Sequence, residues 1–219
     1  NYHKKLFADE PVFDAIGKFA GNARTMHYYS TMPWSDSGLR LLTTKMYFDY
    51  QQQITARQAE FYQLVDNFLN TYDDMIARAH TKLGDLFNPE DYPSKEDVAD
   101  KFRFSVKYCP VPEVGDFRID VSEASKSELQ SQYQSFFEDR LNDAMSDIWE
   151  RLHECVKHMS EKLAGDEKQI FRDSLVENAV ELCGVLTKLN ITNDAKLEAA
   201  RQELEKALCG LTANDLRKD

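Results

Sequence analysis

The stretch KFRFSVKYCPVPEVGDFRIDV, Lys101 to Val121, decides how the chain is read, because it carries the one convincing β pattern in a sequence that elsewhere repeats like helix. Phe102, Phe104, Val106 and Tyr108 alternate with Arg103, Ser105 and Lys107, and Phe117, Ile119 and Val121 alternate with Arg118 and Asp120. That is the two-residue period of half-buried strands. Pro110, Pro112 and Gly115 between the two runs forbid regular structure. The expectation is an antiparallel β-hairpin at about 101–121. A two-stranded hairpin is marginal alone, so its apolar face must lie on another element. The long helical segments on either side are the candidates, and the hairpin would return the chain so that they run antiparallel.

Upstream, Asp9, Glu10 and Pro11 read as a helix start, followed by Val12, Ile16, Phe19, Ala23 and Met26 on one face. The run from His27 to Trp34 is an aromatic-rich turn, closed by Ser35, Asp36, Ser37 and Gly38. Thr43 or Thr44 caps the next helix, which carries Tyr50, Ile54, Phe61, Val65, Phe68, Tyr72, Met75 and Ala79 until Leu83 and Gly84 end it. The seven-residue spacings Ile54, Phe61, Phe68, Met75 and Val65, Tyr72, Ala79 form a coiled-coil-like seam. A helix of about 40 residues is roughly 60 Å long, and its stability has to come from packing along a partner.

Residues 85–93 are a connector broken by Pro89 and Pro93, and Ser94 with Asp97 caps a short helical turn into the first expected strand. Downstream, Ser125 with Glu128 reads as a capping box opening a helix from Leu129 to Leu163, the expected partner of the long helix. Gly165 stops it. Two further helices carry Phe171 to Leu189 and Leu197 to Leu211, separated by Asn190 to Asp194.

A chain of 219 residues, 42% hydrophobic and 11% aromatic, has ordinary globular composition. Eight glycines and six prolines are few for that length and favour long helices over a many-turned sandwich. No run of 18 apolar residues is present, so no membrane span is expected. Cys109, Cys155, Cys183 and Cys209 have neither zinc spacing nor the look of a disulfide framework, which fits a reduced, cytoplasmic setting. Three of them fall in helical segments as small apolar residues, and Cys109 sits in the hairpin loop. The chain begins at Asn1 without a methionine, and the expectation is that a further N-terminal region precedes it.

The net charge of −11 argues against a general nucleic-acid coat, and the 38 acidic residues are interspersed with 27 basic ones, unlike a mimic of DNA. His153 and His158 lie one residue too far apart for the H-E-x-x-H arrangement. At about 100° per residue they diverge by roughly 140°, so they cannot hold one ion from a regular helix. No phosphate loop, dinucleotide fingerprint or nucleophile elbow occurs. Neither catalytic residue, cofactor nor metal is therefore assigned. Two candidate contact sets remain. Cys109, Val111, Pro112, Val114 and Gly115 form an apolar, proline-stiffened loop fit for a protein partner. Arg24, Tyr28, Tyr29, Trp34 and Arg40 combine cations with rings that could stack single-stranded nucleic acid, although helical spacing also accounts for several of these rings as core.

Across His27-Tyr28, Thr31, Pro33-Trp34, Arg40 to Leu42, Leu83 to Phe87, Asp91 to Pro93, Pro112, Gly115 to Arg118 and Phe171 to Leu175, the chain resembles an uncharacterised protein family of bacteriophages and other mobile elements. It is also similar to a domain-of-unknown-function family encoded beside MoxR-type AAA+ ATPases and von Willebrand A proteins. The resemblance covers the chain from Val12 onward. It implies a phage or prophage setting and carries no active site.

The combined expectation is one mainly α domain over 1–219: a long antiparallel, coiled-coil-like helical hairpin with a single β-hairpin insertion and packed flanking helices. Its expected role is that of a non-enzymatic adaptor or scaffold that contacts an AAA+ ATPase assembly or a host protein, with self-association. The alternatives are an accessory nucleic-acid-binding protein of phage replication or recombination, and an inhibitor of a host defence system.

Overall fold

The computed structural model describes residues 5–7, 10–111, 122–163 and 173–209. Among these residues the protein is mainly α with one short antiparallel β pair. The elements are α1 (Pro11–Tyr29), β1 (Met32–Pro33), β2 (Arg40–Leu41), α2 (Thr44–Asn70), α3 (Tyr72–Leu83), 3₁₀ turns at Gly84–Leu86 and Pro89–Asp91, α4 (Lys95–Ala99), α5 (Glu123–Leu163), α6 (Asp173–Leu189) and α7 (Ala195–Leu208). The chain clusters into two compact units. Unit 1 takes residues up to His27 and from Asp49 to Cys109, and unit 2 takes Tyr28 to Phe48 and the chain from Pro110.

In unit 1, α1 starts as its sequence foretells, with Pro11 at the first helical position and the Glu10 carbonyl accepting from the backbone N–H groups of Phe13 and Asp14. The Glu10 carboxylate takes two hydrogen bonds from Arg78, at 3.0 and 2.7 Å, which fixes the start of α1 on α3 and holds the Glu10 pKa below the usual range. Ile16, Phe19 and Ala23 of α1 join Phe61, Val65, Phe68, Tyr72 and Met75 in one core. The heptad seam is thus real, and α1 covers it, with Val98, Phe102 and Phe104. The sequence had offered it to the helix that follows the expected β-hairpin.

The 40-residue helix is divided at Thr71. Its hydroxyl donates to the carbonyls of Asn67 and Phe68, at 3.1 and 3.2 Å, and its own N–H bonds to Phe68 rather than to residue 67. Such back-bonding competes with the helical ladder. The result is two helices of 27 and 12 residues with the seam continuing across the break.

The first strand of the hairpin expected at about 101–121 is not formed. Residues 102–111 carry no strand, and 112–121 lie outside the described residues. Phe102 packs on Phe68 (5.4 Å between ring centroids), Phe104 on Phe61 (5.5 Å) and Tyr108 on Tyr50 (6.5 Å), so the segment lies as a strap running back along α2. Gln58 donates to the Phe104 carbonyl at 3.0 Å. Alternation records one face of an extended chain meeting an apolar surface; here that surface is a helix.

In unit 2, Met32 of β1 is fully buried among Ala144, Met145, Ile148 and Leu152 of α5, Leu182, Val185, Leu186 and Leu189 of α6, and Leu197 of α7. A smaller cluster joins Met159, Ala179 and Leu208. Thr43 caps α2, accepting from Met46 N–H, and its hydroxyl donates to the Lys188 carbonyl at the end of α6. The start of α5 precedes the expected Ser125: Ser122 is the cap, its hydroxyl accepting from Ser125 N–H and its carbonyl from Lys126 N–H. Asp194 caps α7 and also accepts from the Trp149 indole at 3.1 Å. Cys209, expected within the last helix, sits just past its end and is exposed.

Candidate interaction site

The small hairpin of unit 2 gathers Tyr28, Tyr29, Trp34 and Arg40, four of the five residues singled out for nucleic acid. Its strands pair Met32 with Leu41 and Pro33 with Arg40. The tip is closed by the Leu39 carbonyl, which accepts from Trp34 and Ser35 N–H groups, and by Gly38 at φ 92°, a left-handed conformation that a residue with a Cβ rarely adopts. The whole turn follows the C-terminus of α1, whose last carbonyls have no helical partner.

Two arginines supply those partners. Arg40 donates from Nε to the Thr31 hydroxyl at 2.8 Å and from Nη2 to the carbonyls of Thr31 at 2.7 Å and Tyr28 at 3.2 Å. Arg151, reaching from α5, donates to the carbonyls of Tyr29 at 2.9 Å, Tyr28 at 3.1 Å and Thr31 at 2.7 Å. Cations at a helix C-terminus are favourable for the same electrostatic reason. Asp147, one turn before Arg151, sets its Oδ2 2.6 Å from Nη2; this is a charge contact whose angle is not that of a hydrogen bond. Burial, and then the nearby Arg151 charge, depress the Arg40 pKa.

This arrangement separates the candidate residues by role. Five of these six hydrogen bonds from Arg40 and Arg151 go to backbone carbonyls, so a phosphate would have to displace structural bonds. Tyr29 is half-buried, and burial, with Glu181 adding to it, pushes its phenol to about 12. Trp34 meets Phe137 of α5 edge-on at 5.4 Å, and next to it Asp36 accepts two hydrogen bonds from Arg140, both 3.2 Å. Tyr28 remains 49% exposed beneath the Arg40 guanidinium, 4.8 Å from its ring centroid. Arg24 is exposed on the unit 1 part of α1. Of the loop proposed for a protein partner, Cys109 is exposed and Val111 is 40% exposed; Pro112, Val114 and Gly115 lie outside the described residues.

Sequence reasoning missed Arg151 and Asp147, which complete the site across 120 residues of chain. A faint signal was there: Asp147 and Arg151 are four apart and flank Ile148 and Leu152, a charged pair set beside the buried stripe of a helix. It also missed Phe48, among the described residues the most exposed large apolar side chain at 76%, which meets Tyr47 edge-on at 5.3 Å at the start of α2; Leu39 at the hairpin tip is 55% exposed. Among the described residues no three His, Cys, Asp or Glu side chains gather as a metal site, and no helix is long and apolar enough to cross a membrane. Compared with protein-family models, curated proteins and solved structures, the chain matches none of the three.

Proposed function

We propose that the protein is a non-enzymatic adaptor or scaffold that works through protein–protein contacts, and that unit 2 presents one contact at the arginine-held turn. The observation that carries this reading is Phe48, a large ring three-quarters exposed at the start of a helix whose first turn is anchored by Thr43. An exposed aromatic on a rigid base loses little conformational entropy on binding and matches the anchor residues of interfaces. The family resemblance supports a bacteriophage setting and makes an AAA+ ATPase assembly the partner to look for first.

The test is affinity capture from phage-infected cells with the wild-type chain and with Phe48→Ser combined with Leu39→Ser. Both side chains are exposed, so thermal melting should stay within about a degree, in line with surface changes of under ~0.5 kcal/mol. The captured partner should be lost. Undiminished capture would remove this surface from the reading. Tight DNA binding that fell steeply with salt and survived the double change would instead favour the nucleic-acid role.

A further inference from the structure

We propose that the first half of α5, Glu123 to Asp143, docks a basic amphipathic helix of a partner protein. This deepens the adaptor reading and rests on it only for the choice of a protein as occupant. α5 is 41 residues long, yet no residue from Glu123 to Asp143 is buried; burial begins at Ala144. Along those roughly 30 Å of helix, Leu129, Tyr133, Phe136 and Phe137 recur at spacings of three and four, the pattern of a packing face.

That face has a covered side and an open one. At about 100° per residue, Phe137 and Leu141 lie on one side of Tyr133, and Phe137 meets Trp34 of the hairpin. Leu129, half-buried, and Phe136, exposed, lie on the other. Phe136 is 48% exposed, with the Tyr133 ring 6.5 Å away and the Arg140 guanidinium 5.2 Å above it. Further round the helix on the same side come Asp143, Asp139 and Glu128, so the open apolar strip is edged by carboxylates.

The cations of this stretch are already engaged. Lys126 pairs with Glu123 at 2.8 Å, and Arg140 with Asp36 at 3.2 Å and Asp143 at 3.8 Å. Among the described residues no cation forms an ion pair with Asp139 or Glu128, the latter accepting only from Gln132 at 3.4 Å. The charge of the whole unit points the same way: unit 2 holds 24 of the 38 acidic residues and 16 of the 27 basic ones, hence eight of the eleven net negative charges. A second copy would bring more carboxylates onto this rim, and a nucleic acid would be repelled by it. A helix with a leucine stripe flanked by lysines would cover Leu129, Tyr133 and Phe136 and place its ammonium groups on Glu128, Asp139 and Asp143.

The test uses the full chain and two synthetic amphipathic peptides of about 20 residues with the same leucine spacing, one otherwise lysine-rich and one glutamate-rich. Binding is measured by fluorescence anisotropy at about 0.15 M salt. The lysine peptide should bind about tenfold tighter or more than the glutamate peptide. Phe136→Ser should weaken it about tenfold with melting unchanged, and Glu128→Lys with Asp139→Lys should reverse the preference. Equal binding of the two peptides, or lysine-peptide binding indifferent to both variants, would overturn the proposal. So would a dimer in sedimentation that Phe136→Ser dissolves, because the occupant would then be a second copy. If the peptides fail while Phe48-dependent capture holds, this surface is wrong and the adaptor reading stands; the converse result leaves the docking surface and removes the Phe48 contact.

Discussion

Each unit has to hold an irregular segment against a helical frame, and they do it with different chemistry. In unit 1 the segment is the strap of residues 102–108, and what holds it is aromatic: Phe102 on Phe68, Phe104 on Phe61, Tyr108 on Tyr50, with Phe7 against Tyr92 at 5.5 Å nearby. In unit 2 the segment is the turn after α1, and what holds it is two guanidinium groups on three carbonyls, while the core beneath is aliphatic and methionine-rich. The difference follows from what each segment lacks. Among the described residues no strand lies beside the strap to offset its ordering entropy with a ladder of hydrogen bonds, and large rings bury much area for few rotamers. A helix C-terminus lacks donors, and charged donors are the strongest available.

The largest effect should therefore come from the ring at the centre of unit 1. Phe68 is 1% exposed and touches Phe7, Phe13, Tyr72 and Phe102. Phe68→Asp removes those contacts and buries an unpaired charge, for a loss of more than about 4 kcal/mol. Amide exchange should show protection lost across α1, α2 and α3. An unchanged melting curve would mean that this seam does not organise the unit.

Next comes the clamp of unit 2. Arg151→Met keeps the aliphatic stem and removes the donors, leaving the Tyr29 carbonyl without its arginine and those of Tyr28 and Thr31 with Arg40 alone. A loss of about 2–3 kcal/mol is expected in denaturant melts. Arg151→Lys should recover only part of it, because an ammonium group does not present the planar fork that spans several carbonyls. Full recovery by lysine would show that charge at the helix end, and not the fork, matters.

The two units also differ in how far they were legible in sequence. The faces of α1 and of the α2–α3 seam were readable because helical periodicity names buried positions whatever covers them: Ile16, Phe19, Phe61, Phe68 and Met75 are all buried. The covering partner was not readable, since an apolar stripe carries no address. The strap misled because a two-residue period describes an extended chain on any apolar surface, and sequence alone does not distinguish a neighbouring strand from a helix. The real β pair, two residues on each strand, is too short to show a period at all. Arg151 was invisible for another reason: its partners are backbone carbonyls, which every sequence has.

The smallest effect is on acid stability, and it again separates the units. Among the described residues four carboxyl groups are held below their ordinary pKa: Glu10 in unit 1, chiefly by the Arg78 hydrogen bonds, and in unit 2 Asp36 by Arg140, Glu198 by Arg201, and Asp194 by the Trp149 indole and then the backbone N–H groups at the start of α7. A carboxyl group whose folded pKa is depressed contributes stability that is complete above its unfolded value, about 3.9 for aspartate and 4.3 for glutamate, and is lost as pH falls through the folded value. The melting temperature should therefore hold from pH 7 to about 5 and fall below about pH 4. Asp194→Asn isolates one contribution, because asparagine remains a competent cap but has no proton to take up. The variant should melt slightly lower than wild type at pH 7 and lose less between pH 5 and pH 3, with the difference confined to the exchange protection of α7. Parallel pH profiles for the two proteins would show that Asp194 acts as a cap alone and that its charge does not contribute.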